Sequence, residues 1–104
     1  MNRVARVYMH GVPAGMLEEI EPSKLYRFAY LPSYDGPPIS LTLPRTQRAY
    51  EFDSFPAFFD GLLPEGKMLE ALLRQRKIDQ RDYFSQLVVV GQDLVGAVTV
   101  EETA

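Results

Sequence analysis

Apolar and polar residues alternate along the first half of the chain and fall at helical spacing along the second. Val4, Arg6, Tyr8 and His10 share one face of an extended segment and Ala5, Val7 and Met9 the other, which predicts a strand. Gly11-Val12-Pro13-Ala14-Gly15 is dense in turn residues and predicts the close of a hairpin, with Met16–Ile20 as the returning strand. Tyr26, Phe28 and Tyr30 then alternate with Leu25, Arg27, Ala29 and Leu31, a third strand covered on both faces. Residues 32–38 hold three prolines and Gly36 and read as a loop, because proline offers no ladder donor. Ile39, Leu41 and Leu43 alternate with Ser40 and Thr42, predicting a fourth strand that Pro44 stops.

The period then changes. Phe55-Pro56 predicts the opening of a short helix with Ser54 as its N-cap. Phe55, Phe58, Phe59 and Leu62 lie at i, i+3, i+4 and i+7, a compact apolar face, and Gly61 and Pro64 confine the helix to about two turns. A second helix is predicted from Pro64 to about Arg76, burying Met68, Leu69, Leu72 and Leu73. Glu65 suits its N-terminus, and Arg74, Arg76 and Lys77 suit the negative end of its dipole. Asp79 is expected to begin a third helix, with Asp82 three residues later in a weaker form of the capping box. Its inward face is Tyr83, Phe84, Leu87 and Val88, and Gly91 ends it. Leu94–Val100 reads as a last strand and residues 101–104 as a solvated tail. The expected architecture is a single α+β domain over residues 1–104. It has a small antiparallel, barrel-like sheet of about five strands and three short helices on one side.

Composition narrows the function classes. One hundred and four residues are one domain's worth of chain, and an apolar fraction of 46% argues against a disordered regulator. The lack of cysteine excludes disulfides, thiol nucleophiles and Cys-based metal sites. A single histidine, His10, excludes a two-histidine metal site. The chain is too short for a kinase or another large catalytic fold. No catalytic residue, cofactor or metal is therefore expected. Residues 1–50 carry six Lys/Arg against four Asp/Glu, whereas residues 51–104 carry five against ten. The acidic half does not suit a phosphate backbone but would suit a partner with a basic cleft. No run approaches the roughly 18–20 apolar residues of a membrane span, and MNRVARVYMHG alternates where a signal peptide would not. The expectation is a cytoplasmic protein with neither membrane nor direct nucleic-acid contact.

Each candidate motif has a plainer alternative. Gly91-Gln92-Asp93-Leu94-Val95-Gly96 has the glycine spacing of a phosphate-binding loop, but Ala97-Val98 stand where Lys-Ser/Thr is needed. A helix end followed by a tight turn explains it better. His10 lacks a second ligand nearby. Asp60 and Glu65 flank Leu62-Leu63 without a nucleophile or oxyanion site, so capping or partner contact outranks acid–base chemistry. Tyr26, Phe28 and Tyr30 could stack nucleic-acid bases, against the simpler reading of core packing. The most unusual segment is Phe59-Asp60-Gly61-Leu62-Leu63-Pro64-Glu65-Gly66, a rigid apolar corner with charges. It either packs inward or offers a stiff residue to a partner's pocket at small entropic cost.

That corner, with Asp82-Tyr83-Phe84 and Val90-Gly91-Gln92-Asp93-Leu94-Val95-Gly96-Ala97-Val98, resembles the N-terminal subdomain of HipA-type serine/threonine kinase toxins. Gly15-x-Leu17 and the Ile39–Pro44 segment resemble it too, so the likeness spans nearly the whole chain. The kinase core that follows in a full toxin is absent. A free-standing subdomain of this type resembles HipS, the small component of tripartite HipBST toxin–antitoxin systems. There HipT is the kinase and HipB the DNA-binding protein. The resemblance implies an antitoxin that binds a HipT-like kinase in trans and inhibits it, with a HipB-like protein as a further partner in a ternary complex. Partner binding is expected at Phe59, Asp60, Gly61, Leu62, Leu63, Pro64, Glu65 and Gly66, with Leu63 as the apolar probe. The alternatives are a non-inhibitory scaffold between the kinase and the HipB-like repressor, or an excised HipA subdomain. Met1 and the acidic tail favour a stand-alone protein.

Overall fold

A computed structural model describes residues 2–94 and 96–103. Five strands form one antiparallel sheet: β1 (Arg3–Met9), β2 (Val12–Glu21), β3 (Leu25–Tyr30), β4 (Ala49–Phe52) and β5 (Val98–Thr103). Their spatial order is β4-β3-β2-β1-β5. Three helices, α1 (Ala57–Asp60), α2 (Gly66–Arg76) and α3 (Tyr83–Val90), lie in sequence between the two edge strands. The chain therefore crosses from one edge of the sheet to the other through its helices.

Strand register puts Ala5, Leu17, Phe28 and Tyr50 opposite one another across four strands, and Val7 opposite Val100. This inner face packs with Phe59, Phe84 and Leu87 of the helices in one buried cluster. The Phe28 and Phe59 rings stand 5.8 Å apart, which ties α1 to the sheet. The opposite face carries Arg6, Glu18, Arg27, Glu51 and Glu101. That inward-apolar, outward-charged alternation is how an antiparallel sheet with one solvated face is built.

Four boundaries differ from the sequence expectation. The first hairpin turns at His10-Gly11, whose φ angles of 51° and 79° suit a two-residue turn with both central residues left-handed. Residues 12–15 belong to β2, and the dense Pro13 and Gly15 flank a register shift opposite Val7 and Tyr8. Ile39–Leu43 is a turn and not a strand. The buried Tyr30 hydroxyl donates to the Leu43 carbonyl and accepts from the Ile39 amide, while the Leu43 amide donates to Ser40 O. Ile39 and Leu43 are thereby buried, and Leu41 points out at 96% exposure. The fourth strand is Ala49–Phe52 instead.

The helices and the tail differ in detail. Pro56 precedes α1 without a side-chain cap, so Ser54 does not cap it. Helix α3 starts at Tyr83 with Asp82 as N-cap, while the Asp79 carboxylate accepts from Arg81 N in the turn before it. Helix α2 buries no residue, contrary to the expected stripe, and Met68 is 74% exposed. Strand β5 begins at Val98 and takes in Glu101–Thr103, because Thr103 pairs with Val4 and its hydroxyl donates to Val4 O. Of the Leu94–Val100 segment, Val95 lies outside the described residues.

Candidate partner-binding corner

The corner begins as the short helix α1 ends. Phe59 is fully buried, its ring 5.1 Å from that of Phe58, and it anchors the segment to the core. The Gly61 amide donates to Ala57 O, Leu62 N to Phe59 O and Leu63 N to Asp60 O, so the backbone continues as a tight turn after α1. Pro64 and the extended Glu65 (φ −126°, ψ 164°) break this spiral. Gly66 restarts it with φ 59°, a conformation that L side chains rarely adopt. Leu62, Leu63 and Pro64 are half-buried, while Asp60, Gly61, Glu65 and Gly66 are exposed.

The expected residues therefore divide. Phe59 is a core residue and contributes support. Leu62 and Leu63 rest against the core and form no free projection. Gly61–Pro64 build one wall of an open, largely apolar groove of about 630 Å³. Its other walls come from Met68, Ala71, Leu72 and Gln75 of α2, from Val90 at the end of α3 and from Asp93 and Leu94 beyond it. The groove residues of α2 were hidden in the sequence behind the expectation of a buried stripe. Their i, i+3, i+4, i+7 spacing was visible, but the face they cover was not.

A polar cluster fixes the opposite end of α3. Arg3 Nε donates to Glu19 Oε1 at 2.7 Å, Arg3 NH2 to Asp82 Oδ1 at 2.7 Å and Arg3 NH1 to Ser85 Oγ at 2.7 Å. Ser85 Oγ donates to Asp82 Oδ2 at 2.7 Å, and the Tyr26 hydroxyl donates to Glu19 Oε2 at 3.3 Å. Glu19 is only 4% exposed, so its charge is tolerated because Arg3 and Tyr26 satisfy it. Burial opposes the Asp82 charge, but the Arg3 guanidinium and Ser85 outweigh it and hold the carboxyl below its usual range. Burial chiefly pushes the Tyr26 phenol up. Nothing in the hydrophobic pattern signalled this cluster, since its members lie up to 82 positions apart.

The remaining candidates find ordinary places. The Tyr26, Phe28 and Tyr30 rings lie in the core and are not presented to nucleic-acid bases. His10 is exposed in the hairpin turn, where its amide donates to Ala97 O at 2.8 Å. Among the described residues no group of three or more His, Asp or Glu side chains could hold a metal ion.

The family model for the HipA N-terminal domain matches residues 5–101. The chain belongs to this family. A solved N-terminal domain of HipA toxin superposes with a TM-score of 0.76 at 27% identity, covering 98% of this chain and 93% of that one. An uncharacterized protein of Haemophilus influenzae (strain ATCC 51907 / DSM 11121 / KW20 / Rd) is 32% identical over 100 residues, covering 96% of this chain and 92% of that protein. This chain thus matches almost the whole length of that protein. The α+β architecture, with its five-stranded antiparallel sheet and three helices, is that of the HipA N-terminal domain. Among the described residues no helix is long and apolar enough to cross a membrane.

Proposed function

We propose that this chain is a HipS-like antitoxin that binds a HipT-like serine/threonine kinase in trans and holds it inactive by occlusion, without chemistry of its own. The observation that carries the reading is the family match over residues 5–101, which makes nearly all of these 104 residues a HipA-type N-terminal domain. A partner kinase that lacks this domain would regain its contacts when the chain docks. The corner supports the same reading. Asp60 and Glu65 are exposed on either side of half-buried Leu62 and Leu63. A kinase cleft is built to attract phosphates and is positively biased, so an acidic, rigid, apolar-centred corner complements it. A HipB-like repressor would join the same assembly, and cytoplasmic residence follows from such partners.

Leu63→Ala tests the assignment of the corner. The variant should stay folded, losing about 1–2 kcal/mol because Leu63 is only half-buried, and should suppress the kinase several-fold less effectively. Thermal melting and a phosphorylation assay measured side by side check both halves. Undiminished suppression by the folded variant would remove Leu63 from the interface.

A further inference from the structure

We infer that the groove between the corner and α2 seats an amphipathic helix of the partner kinase, apolar on its buried face and carrying a Lys or Arg that meets Asp93. This rests on the kinase reading and specifies the chemistry of the surface the kinase brings.

Helix α2 is the starting point. Eleven residues make a helix that is marginal in water, and such helices depend on packing an apolar face. Here no residue of α2 is buried, and Met68, Ala71 and Leu72 line an open groove. The chain itself thus leaves the apolar stripe of α2 only partly covered. The groove runs along a helix and is lined by apolar side chains, with Asp93 and Gln75 the polar exceptions among its described lining residues. A small-molecule site gathers several convergent polar groups, whereas a groove beside an exposed helical stripe takes apolar anchors at i, i+3, i+4 and i+7.

Charge sets the orientation. Lys67, Glu70 and Arg74 follow the stripe of α2 next to Met68 and Ala71, by their three- and four-residue spacing. Asp93 belongs to the wall beyond α3. An inserted helix with a basic edge toward Asp93 is favoured, and the reversed helix meets like charge at Lys67 and Arg74, as flanking charges select partners in coiled coils. Continuity favours the kinase over a second copy of this chain. Gly61–Pro64 form both the corner and a groove wall, so a partner docked on the corner stands at the edge of the groove.

The test is calorimetric titration of the HipT-like kinase with the full chain and three variants. Met68→Glu and Ala71→Glu replace exposed positions and leave the far-UV spectrum unchanged. Each is expected to weaken binding about tenfold or more. Leu41→Glu, at the fully exposed leucine of the Ile39–Leu43 turn, is expected to bind as the unaltered chain does. Hydrogen exchange should show a helical kinase segment protected in the complex. Unchanged affinity of both groove variants overturns this inference alone. So does a dimer of the free chain that Met68→Glu dissociates, which would give the groove to a second copy. Absence of any binding by the unaltered chain overturns the kinase reading, and this inference with it.

Discussion

Arg3 ties three elements together from one side chain. It reaches Glu19 on β2 and both Asp82 and Ser85 at the start of α3. Asp82 is at once the N-cap of α3, accepting from Ser85 N at 3.2 Å, and the carboxylate partner of Arg3. Because its folded pKa lies below its unfolded value, its contribution is present above the unfolded pKa of about 3.9 and is lost as pH falls through the folded one. Asp82→Ala should cost about 1–2 kcal/mol at neutral pH through the lost cap and pairing. The deficit should shrink as pH drops below about 4, where the unaltered chain also loses the charge. Urea melts at several pH values check the slope. A deficit constant down to pH 3 would show that the carboxylate charge contributes nothing.

At the scale of elements, α3 joins β5 at close range. A Cβ on Gly91 would stand 2.0 Å from the Val100 carbonyl oxygen, and Val100 N donates to Gly91 O at 3.0 Å. Gly91 is needed for close approach and not for a left-handed turn, since the residue is right-handed at φ −55°. Gly91→Ala should therefore push β5 from the helix and cost about 1–3 kcal/mol, lowering Tm by roughly 5–20 °C for a domain of this size. A calorimetric scan checks it, and an unchanged Tm would mean that the contact yields freely. The same scale shows what the sequence reveals and what it conceals. Strands with strict alternation, such as Leu25–Tyr30, were legible because the period itself reports the two faces. Ile39–Leu43 alternates as well, yet prolines on both sides and the Tyr30 hydroxyl fold it into a turn. Ala49–Phe52 is a real strand of only four residues, too short for a period to stand out. Glu101–Thr103 looked like tail because its polar residues are held by pairing with β1, which only the register reveals.

For the whole molecule, the acidic balance of the second half proves to be distributed. Glu51 and Glu101 face outward on the sheet, while Asp60, Glu65 and Asp93 sit near the corner and groove. The corner was legible as a segment because Gly61, Pro64 and Gly66 punctuate an apolar run. Its groove was not, because Val90, Asp93 and Leu94 reach it only through the tertiary fold. Helix α2 looks core-forming by period, yet none of its residues is buried in the isolated chain.

The most direct measurement is the autophosphorylation rate of a purified HipT-like kinase titrated with this chain. The account predicts a saturable fall in rate that levels off once the chain matches the kinase in concentration. A rate that stays level while the two co-purify would contradict inhibition and leave only a scaffold.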